Sequence, residues 1–530
     1  MGKTVLVMLA VMAACALCAE VKIPRSAAED TDKVMSKKYW SYWNDEVQKK
    51  IDADIEANRK ADADVILDGV PEGTEVNVEQ ISHDFVFGAH IFNFDQLGDT
   101  TLNNMYKNQF GTLFNSATVA FYWNKFEMSS GRPRYAGEYW DSQHFWNNCP
   151  NPEEQLHWRR PPTDPVIDYL KDRGVRVHGH VLIWGSRFNS IPAWLFDKCL
   201  EGAEREKFLN DIMQTPIKFG AKCFPEKYKP LFDELEVSDL DKMFPKFADN
   251  LKREFALRIK GIAEYYKDRV DSWDVVNESA PDSVGNNMNV GGKLMKSRRY
   301  KLMPADYTYE GFKVAQSVFP RSVKLNINDS PYSCIQAYAD QIKNLLKRGC
   351  KIDIVGIQMH IFSPASISAI ASGKDPMNDS ELAALKKIDP QHVWKMFQIV
   401  DTGLPVHMSE ITITAPDETP RGQMVQAIIA RNVYRLWFSL KPVMGITWWN
   451  TVDGCGYVGE PVLSGLFTRS MQPKPAYYAL NSLINGEWKT NLKVKVGKGG
   501  KVKFRGFKGK YVLSWKDSGG NVRRKYAYVK

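Results

Sequence analysis

From about Phe85 to Ile484 the chain alternates short apolar runs, most ending in polar residues, with longer stretches of helical spacing. The runs are Phe85 to Ala89, Leu113 to Val119, Val175 to Trp184, Ser272 to Asn277, Val323 to Asn328, Ile354 to His360, Pro405 to Glu410 and Met444 to Trp449. Each is strand-sized and each is followed by a helical pattern, which predicts parallel βα units. Eight units predict a closed (β/α)8 barrel over residues 85–485, an α/β fold of TIM-barrel type; a doubly wound open sheet is the alternative. In such a barrel the chemistry sits at the C-terminal ends of the strands, so the polar residues that end the runs become the candidates.

The flanks have a different texture. From Ser36 to Asp64 the spacing of Trp40, Val47, Ile51 and Ile55 predicts a helix lying on the body of the protein. Val65 to Leu67 and Val76 to Val78, separated by Gly69 to Gly73, read as a hairpin. Beyond Trp488, Leu492 to Val496, Val502 to Arg505 and Tyr511 to Trp515 alternate between Gly-rich turns. An isolated hairpin is barely stable in water, so residues 65–81 are expected to join 486–530 in a small accessory β domain. The division is then 1–19 leader, 20–84 helix and hairpin, 85–485 barrel, and 486–530 basic β segment.

The leader changes the compartment. Lys3, an apolar run from Val5 to Leu17 and small residues to Ala19 have the layout of a secretory signal peptide, which predicts a secreted protein, extracellular or periplasmic. Cys15 is a poor match to a lipoprotein cleavage site, and no later stretch is long and apolar enough for a membrane span. Beyond the leader stand Cys149, Cys199, Cys223, Cys334, Cys350 and Cys455, whose pairing is left open. The charge of +9 is uneven: residues 489–530 hold 14 Lys or Arg against the single Asp517. Such a segment is a solvated basic face or an attractor of anionic polymers; it contains no recognisable nucleic-acid module.

Two strand-end glutamates carry the candidate chemistry. Glu278 follows Trp273-Asp-Val-Val-Asn277 on the fourth strand, and Glu410 ends the seventh. Hydrolysis of a glycoside needs one carboxyl that protonates the leaving oxygen and another that attacks, or activates water, at the anomeric carbon. Strands four and seven face each other across a barrel mouth, so these two carboxyls can address one sugar. Asn277 can hold a sugar hydroxyl, and Gln358 and His360 on strand six can orient Glu410 and keep it ionised. His180 and Trp184 on strand three, Trp449 on strand eight, and Tyr122 and Trp123 after strand two offer donors and flat walls to the sugar.

These motifs resemble glycoside hydrolase family 10, whose best-known members are endo-β-1,4-xylanases. The likeness rests on Gly179-His-Val-Leu-Ile-Trp184, Trp273 to Glu278, Leu325-Asn-Ile-Asn-Asp329, Gly356-Ile-Gln-Met-His360, Ser409-Glu-Ile-Thr-Ile413, Gly445-Ile-Thr-Trp-Trp449 and Gln472 to Tyr477, in order along the chain. It implies a retaining double displacement, with Glu410 as nucleophile, Glu278 as general acid/base, and no metal or cofactor. Retention demands carboxyls about 5–5.5 Å apart, with Glu278 kept protonated beside an ionised Glu410. The family's upstream grip, a Glu-Asn pair and a Lys, falls here on Thr118, Val119 and Tyr122. A second His expected after Trp184 is Gly185, and an aromatic expected beyond Asp453 falls in Gly454-Cys455-Gly456. Phe121, Tyr122 and Trp123, with the insertion from Asp141 to Asp164 (Trp146, His157, Trp158, Arg159), are the expected substitutes.

The expected function is that of a monomeric endo-acting glycosidase on xylan. The alternatives are another β-glycanase, a relative preferring oligosaccharides because its upstream subsites are altered, and an inactive barrel that only binds carbohydrate. The expected partner is plant cell-wall polysaccharide, with no nucleic acid.

Overall fold

Eight parallel strands close on themselves in the computed structural model, which describes residues 21–127, 130–136, 162–185, 192–199, 202–203, 245–280, 287–290, 293–296, 303–304, 306–457 and 459–530. Strands one to eight are Val86–His90, Ser116–Ala120, Arg176–His180, Ser272–Asn277, Lys324–Asp329, Ile354–Ile361, Val406–Ile413 and Val443–Trp448. Each pairs in parallel with the next, and strand eight pairs with strand one, Gly445 opposite Val86. The ring is therefore complete, which excludes the open sheet. Strands two, four and seven are buried along their whole length, because the interior covers one face and helices the other. The third run is two pieces, Arg176–His180 and Ile183–Trp184, both paired with strand four.

The expected helix over 36–64 is two helices, Lys37–Tyr42 and Asp45–Arg59, and the chain is already a strand from Lys60. Asn44 makes the break: its side chain accepts from the Val47 N–H at 3.0 Å and caps the second helix. That helix buries Val47, Ile51 and Ile55 against the helix Pro420–Ser439. Asn58 donates to the Ser439 carbonyl at 2.8 Å, and the Arg59 guanidinium donates to the carbonyls of Phe438 and Leu440. Pro420–Ser439 is thus enclosed by the barrel on one side and the N-terminal helix on the other, and is buried almost all round.

The accessory domain is present, with a different pairing from the expected hairpin. Strand Lys60–Ile66 pairs antiparallel with Lys501–Phe507, while Glu75–His83 lies between Asn491–Lys495 and Gly509–Lys516 in a four-stranded sheet. The two N-terminal strands are partners of the C-terminal segment and not of each other. A further strand, Val522–Val529, forms the edge beyond Gly509–Lys516. Leu67, Val76, Val78, Val496, Val502, Phe504, Tyr511, Leu513 and Val529 make a separate small core. Phe507 and Trp488 join it to the barrel, Trp488 stacking on Phe438 with ring centroids 3.9 Å apart.

Removing residues 489–530 therefore strips every ladder partner from two N-terminal strands and exposes Val76 and Val78, both almost fully buried. The truncated chain is expected to melt several degrees lower or to aggregate, since exposing such side chains costs about 1.5–3 kcal/mol each. A thermal melt unchanged by the truncation would contradict this.

Among the described residues no helix is long and apolar enough to cross a membrane. Cys199, Cys350 and Cys455 are buried free thiols, and Cys334 is buried as well. Cys149, Cys223, the leader 1–19 and the insertion residues Trp146, His157, Trp158 and Arg159 lie outside the described residues.

Candidate active site

Strand four ends at Asn277, and Glu278 follows in the left-handed region with φ 54°. A side chain other than glycine is strained there, and the strain is held by an inter-strand bond: the Glu278 N–H donates to the Asn328 carbonyl at 2.8 Å. Glu410 sits within strand seven, where the register with strand six shifts between Ile357 and Gln358 so that Gln358 stands opposite Glu410. Such irregularities re-aim side chains at a barrel rim. Glu278 is half-buried, whereas Glu410 keeps only 6% of its surface exposed.

A chain of amides links the two carboxyls. Gln358 Nε2 donates to Glu278 Oε1 at 3.3 Å and to Asn277 Oδ1 at 3.1 Å. Asn328 Nδ2 donates to the same Asn277 oxygen at 2.9 Å and to Glu410 Oε1 at 2.7 Å. Ser409 Oγ holds the other end of Asn328 by donating to Oδ1 at 2.5 Å. Gln358 thus serves Glu278 and Asn277, not Glu410 as expected, and the donor to Glu410 is Asn328. Position 356 leaves room for it: a Cβ on Gly356 would stand 2.4 Å from Asn328 Oδ1.

Histidines make a second chain. His178 Nδ1 meets Ser272 Oγ at 2.8 Å, and its Nε2 meets Asp274 Oδ2 at 3.0 Å. The same carboxylate oxygen meets His180 Nδ1 at 2.8 Å, leaving His180 Nε2 4.0 Å from Glu410 Oε1. Burial by itself raises Asp274, but the two imidazoles outweigh it and hold this carboxyl well below the usual range. His360 Nδ1 meets Thr412 Oγ1 at 2.8 Å while Nε2 lies 3.5 Å from Glu410 Oε2. Burial pushes His360 down to about 4, so near neutral pH it is an uncharged ring facing the carboxyl.

Burial also acts on Glu410, lifting it from 4.5 to about 8; His180 opposes this, Glu278 and Asp274 add to it, and the Asn328 amide opposes it. The expected picture of Glu410 held ionised by donors on strand six is thereby corrected: desolvation outweighs its hydrogen bonds. A carboxyl whose folded pKa lies above its unfolded value keeps a proton that the unfolded chain has lost. Its contribution to stability is therefore lost as pH rises from about 4.5 to about 8. Glu410→Gln is isosteric with the protonated form and removes this loss. The variant is expected to melt progressively above wild type as pH is raised from about 5 to about 8. A melting difference independent of pH over that window would refute the assignment.

Aromatic residues wall one side of the site. Phe92, Ala120, Tyr122 and Trp449 form a cluster with half-buried Trp184 and Tyr457 against it. Tyr122 packs 5.3 Å from His180 and 5.5 Å from Trp184, and Trp449 lies 5.8 Å from His180 and 6.5 Å from His360 (ring centroids). Tyr122, His180, Trp184, Asn277, Gln358, His360 and Trp449 thus gather around the two glutamates. Trp123 and Phe121 do not: Trp123 is 1% exposed, donates to Glu127 at 2.8 Å and packs on Phe255 and Trp194, and Phe121 is enclosed by Phe126, Tyr266 and Trp273. Three neighbours lay outside the residues singled out from sequence: Asn328, Asp274 and Phe92. The first two stand inside the motifs on strands five and four, but Phe92 follows strand one in a stretch without a recognisable pattern. Among the described residues no cluster of His, Cys, Asp and Glu has a metal-ligand arrangement.

Residues 241–483 match the model of glycosyl hydrolase family 10. The chain is 23% identical over 323 residues to the exoglucanase XynX of Acetivibrio thermocellus, covering 60% of this chain and 24% of that protein. It is also 23% identical over 329 residues to the endo-1,4-beta-xylanase A of Thermoanaerobacterium saccharolyticum, covering 60% and 22%. The chain thus matches under a quarter of the length of these two relatives. Among solved structures it is similar to native xylanase 10B from Thermotoga maritima, with 18% identity, 76% of this chain and 96% of that chain covered, and a TM-score of 0.48.

Proposed function

We propose, on the premise that this chain is a glycoside hydrolase of family 10, that it cleaves β-1,4-xylosidic bonds in xylan by a retaining double displacement. The observation that carries the reading is the amide chain Gln358–Asn277–Asn328, which ties Glu278 to Glu410 in one hydrogen-bonded unit at the barrel mouth. In the first step Glu410 attacks the anomeric carbon and Glu278 gives its proton to the leaving oxygen. In the second, Glu278 takes a proton from water, which displaces Glu410 and restores the starting configuration. Only the ionised form of Glu410 attacks, and positive charge growing on the sugar ring beside it favours that form. Asn277, with its oxygen fixed by two amide donors, turns its own amide N–H toward the sugar. Asp274 orients His180 against Glu410, and Tyr122, Trp184 and Trp449 exclude water from the upstream sugar.

One observation favours a narrower substrate range. Thr118 and Val119 are buried and Tyr122 is 4% exposed, so aromatic packing stands where charged residues would grip an upstream sugar. Short or sparsely contacted oligosaccharides then compete well with polymer. Chromatography of the products from xylans, mixed-linkage glucan, cellulose and short xylo-oligosaccharides tests both readings, with the anomeric form of the first product followed by NMR. Xylan cleavage with the β-anomer appearing first is the expected result. Release of the α-anomer first, or cleavage of glucan alone, would overturn the proposal.

A further inference from the structure

The strand Val522–Val529 forms one edge of the accessory sheet, and its outer face carries Arg524, Tyr526 and Tyr528. Tyr526 is 70% exposed and Tyr528 48%. Rings at alternate strand positions stand about 7 Å apart on one side. Directly across the ladder, Lys510 is opposite Tyr528, Val512 opposite Tyr526, Ser514 opposite Arg524 and Lys516 opposite Val522. The carboxylates nearby have partners: Asp517 takes Arg523 at 2.8 Å, Asp84 takes the Tyr528 hydroxyl, and Glu75 pairs with Lys493 at 3.2 Å. Glu79, opposite Val512 on the next strand, is the remaining acid on this face. Among the described residues none lies within ion-pair distance of Lys510, Lys516 or Arg524.

We propose that this face is a polysaccharide-binding platform for xylan bearing carboxylate side groups, a reading that rests on the proposed substrate class. Lysines alone would keep a small domain soluble, but two exposed tyrosines on an unpaired sheet edge invite aggregation and call for another role. A tyrosine ring offers a flat apolar face with a polar tip, which suits the C–H face and hydroxyl rim of a sugar. The three cations match a uronic acid branch and not a neutral chain. Strand Glu75–His83 runs through Asp84 and Phe85 into the N-terminal end of barrel strand one, away from the strand ends that carry Glu278 and Glu410. The platform therefore holds a long polymer without extending the cleft.

The test uses the full chain in a Glu410→Ala background, run by affinity electrophoresis in glucuronoxylan and in the same polymer with its carboxyls reduced. Retardation in the native polymer that weakens with salt, and is much smaller in the reduced polymer, is expected. Tyr526→Ala with Tyr528→Ala should weaken binding at least about tenfold. Lys510→Gln with Arg524→Gln, a pair whose exposed positions make folding a lesser concern, should abolish the preference for the native polymer. Equal retardation in both polymers, indifference to both pairs of substitutions, or equal retention by DNA would overturn the platform. Hydrolysis of a short xylo-oligosaccharide is measured separately on the same platform variants in the active chain and should not change. A chain that binds glucuronoxylan and hydrolyses nothing removes the proposed reaction and leaves the platform; hydrolysis without polymer retention does the reverse.

Discussion

On the proposed mechanism, Glu410→Ala should lower xylan hydrolysis by about 10^4-fold or more, because the covalent route would disappear with its nucleophile and the remaining groups would only bind and protonate. The variant should fold, since the carboxyl it removes is one that burial disfavours in its ionised form. The shortened side chain leaves a space on the face of the sugar that the carboxylate attacks. A small external nucleophile such as azide should enter that space and restore turnover, and its product should be the α-glycosyl azide. Wild-type activity in the variant would dispose of the mechanism. Rescue giving the β-product would show that attack comes from the other face and that Glu410 has a different role.

Glu278→Ala should show a dependence on the leaving group that Glu410→Ala lacks. Loss of a general acid costs about 10²–10⁴-fold when the departing oxygen needs a proton, as in xylan. With an aryl xyloside whose phenolate departs unaided, formation of the glycosyl-enzyme should stay fast, and only its hydrolysis should slow. A burst of phenol followed by a slow steady rate is the expected trace. Azide should then accelerate the second step and yield the β-glycosyl azide, the anomer opposite to that from the first variant. A uniform loss for both kinds of leaving group, with no burst, would show that Glu278 holds the sugar instead of transferring its proton.

The fold brings Tyr122, His180, Trp184, Asn277, Gln358, His360 and Trp449 around the two glutamates, leaves Trp123 out, and wires the amides differently from the expectation. Glu278, Asn277, Gln358, His360, His180 and Trp449 were found because each ends an apolar run, and a barrel brings such ends to one face. Which amide serves which carboxyl was not legible. Gln358 was expected to serve Glu410, its neighbour across the strand pair, yet the register shift after Ile357 sends its amide toward Asn277 and Glu278. The vacancy beside Glu410 is filled by Asn328, which reaches it because Gly356 has no side chain. Trp123 shows the opposite error: adjacent to Tyr122 in sequence, it begins a short helix, Trp123–Phe126, whose first turn buries it under the rim.

The ionisation of Glu410 is likewise a property of the folded site. Sequence supplies two carboxyls and several donors, and counting donors suggests an ionised Glu410. The depth of Glu410 decides otherwise, because desolvation depends on every atom around the group and not on the residues beside it in the chain.

The period of the apolar residues determined the barrel, its eight strands and the positions of the two glutamates, since burial on both faces writes itself into each strand as a continuous apolar run. The C-terminal alternation determined a small sheet shared with residues near 65–81. Only the folded protein decided that Lys60–Ile66 and Glu75–His83 take different partners, that one asparagine joins the two carboxyls and that Trp123 is core. Hydrophobic period is a local signal, imposed on each strand by its own surroundings. Partner choice, hydrogen-bond direction and desolvation depend on residues far apart in the chain, whose meeting is set by the closure of the ring.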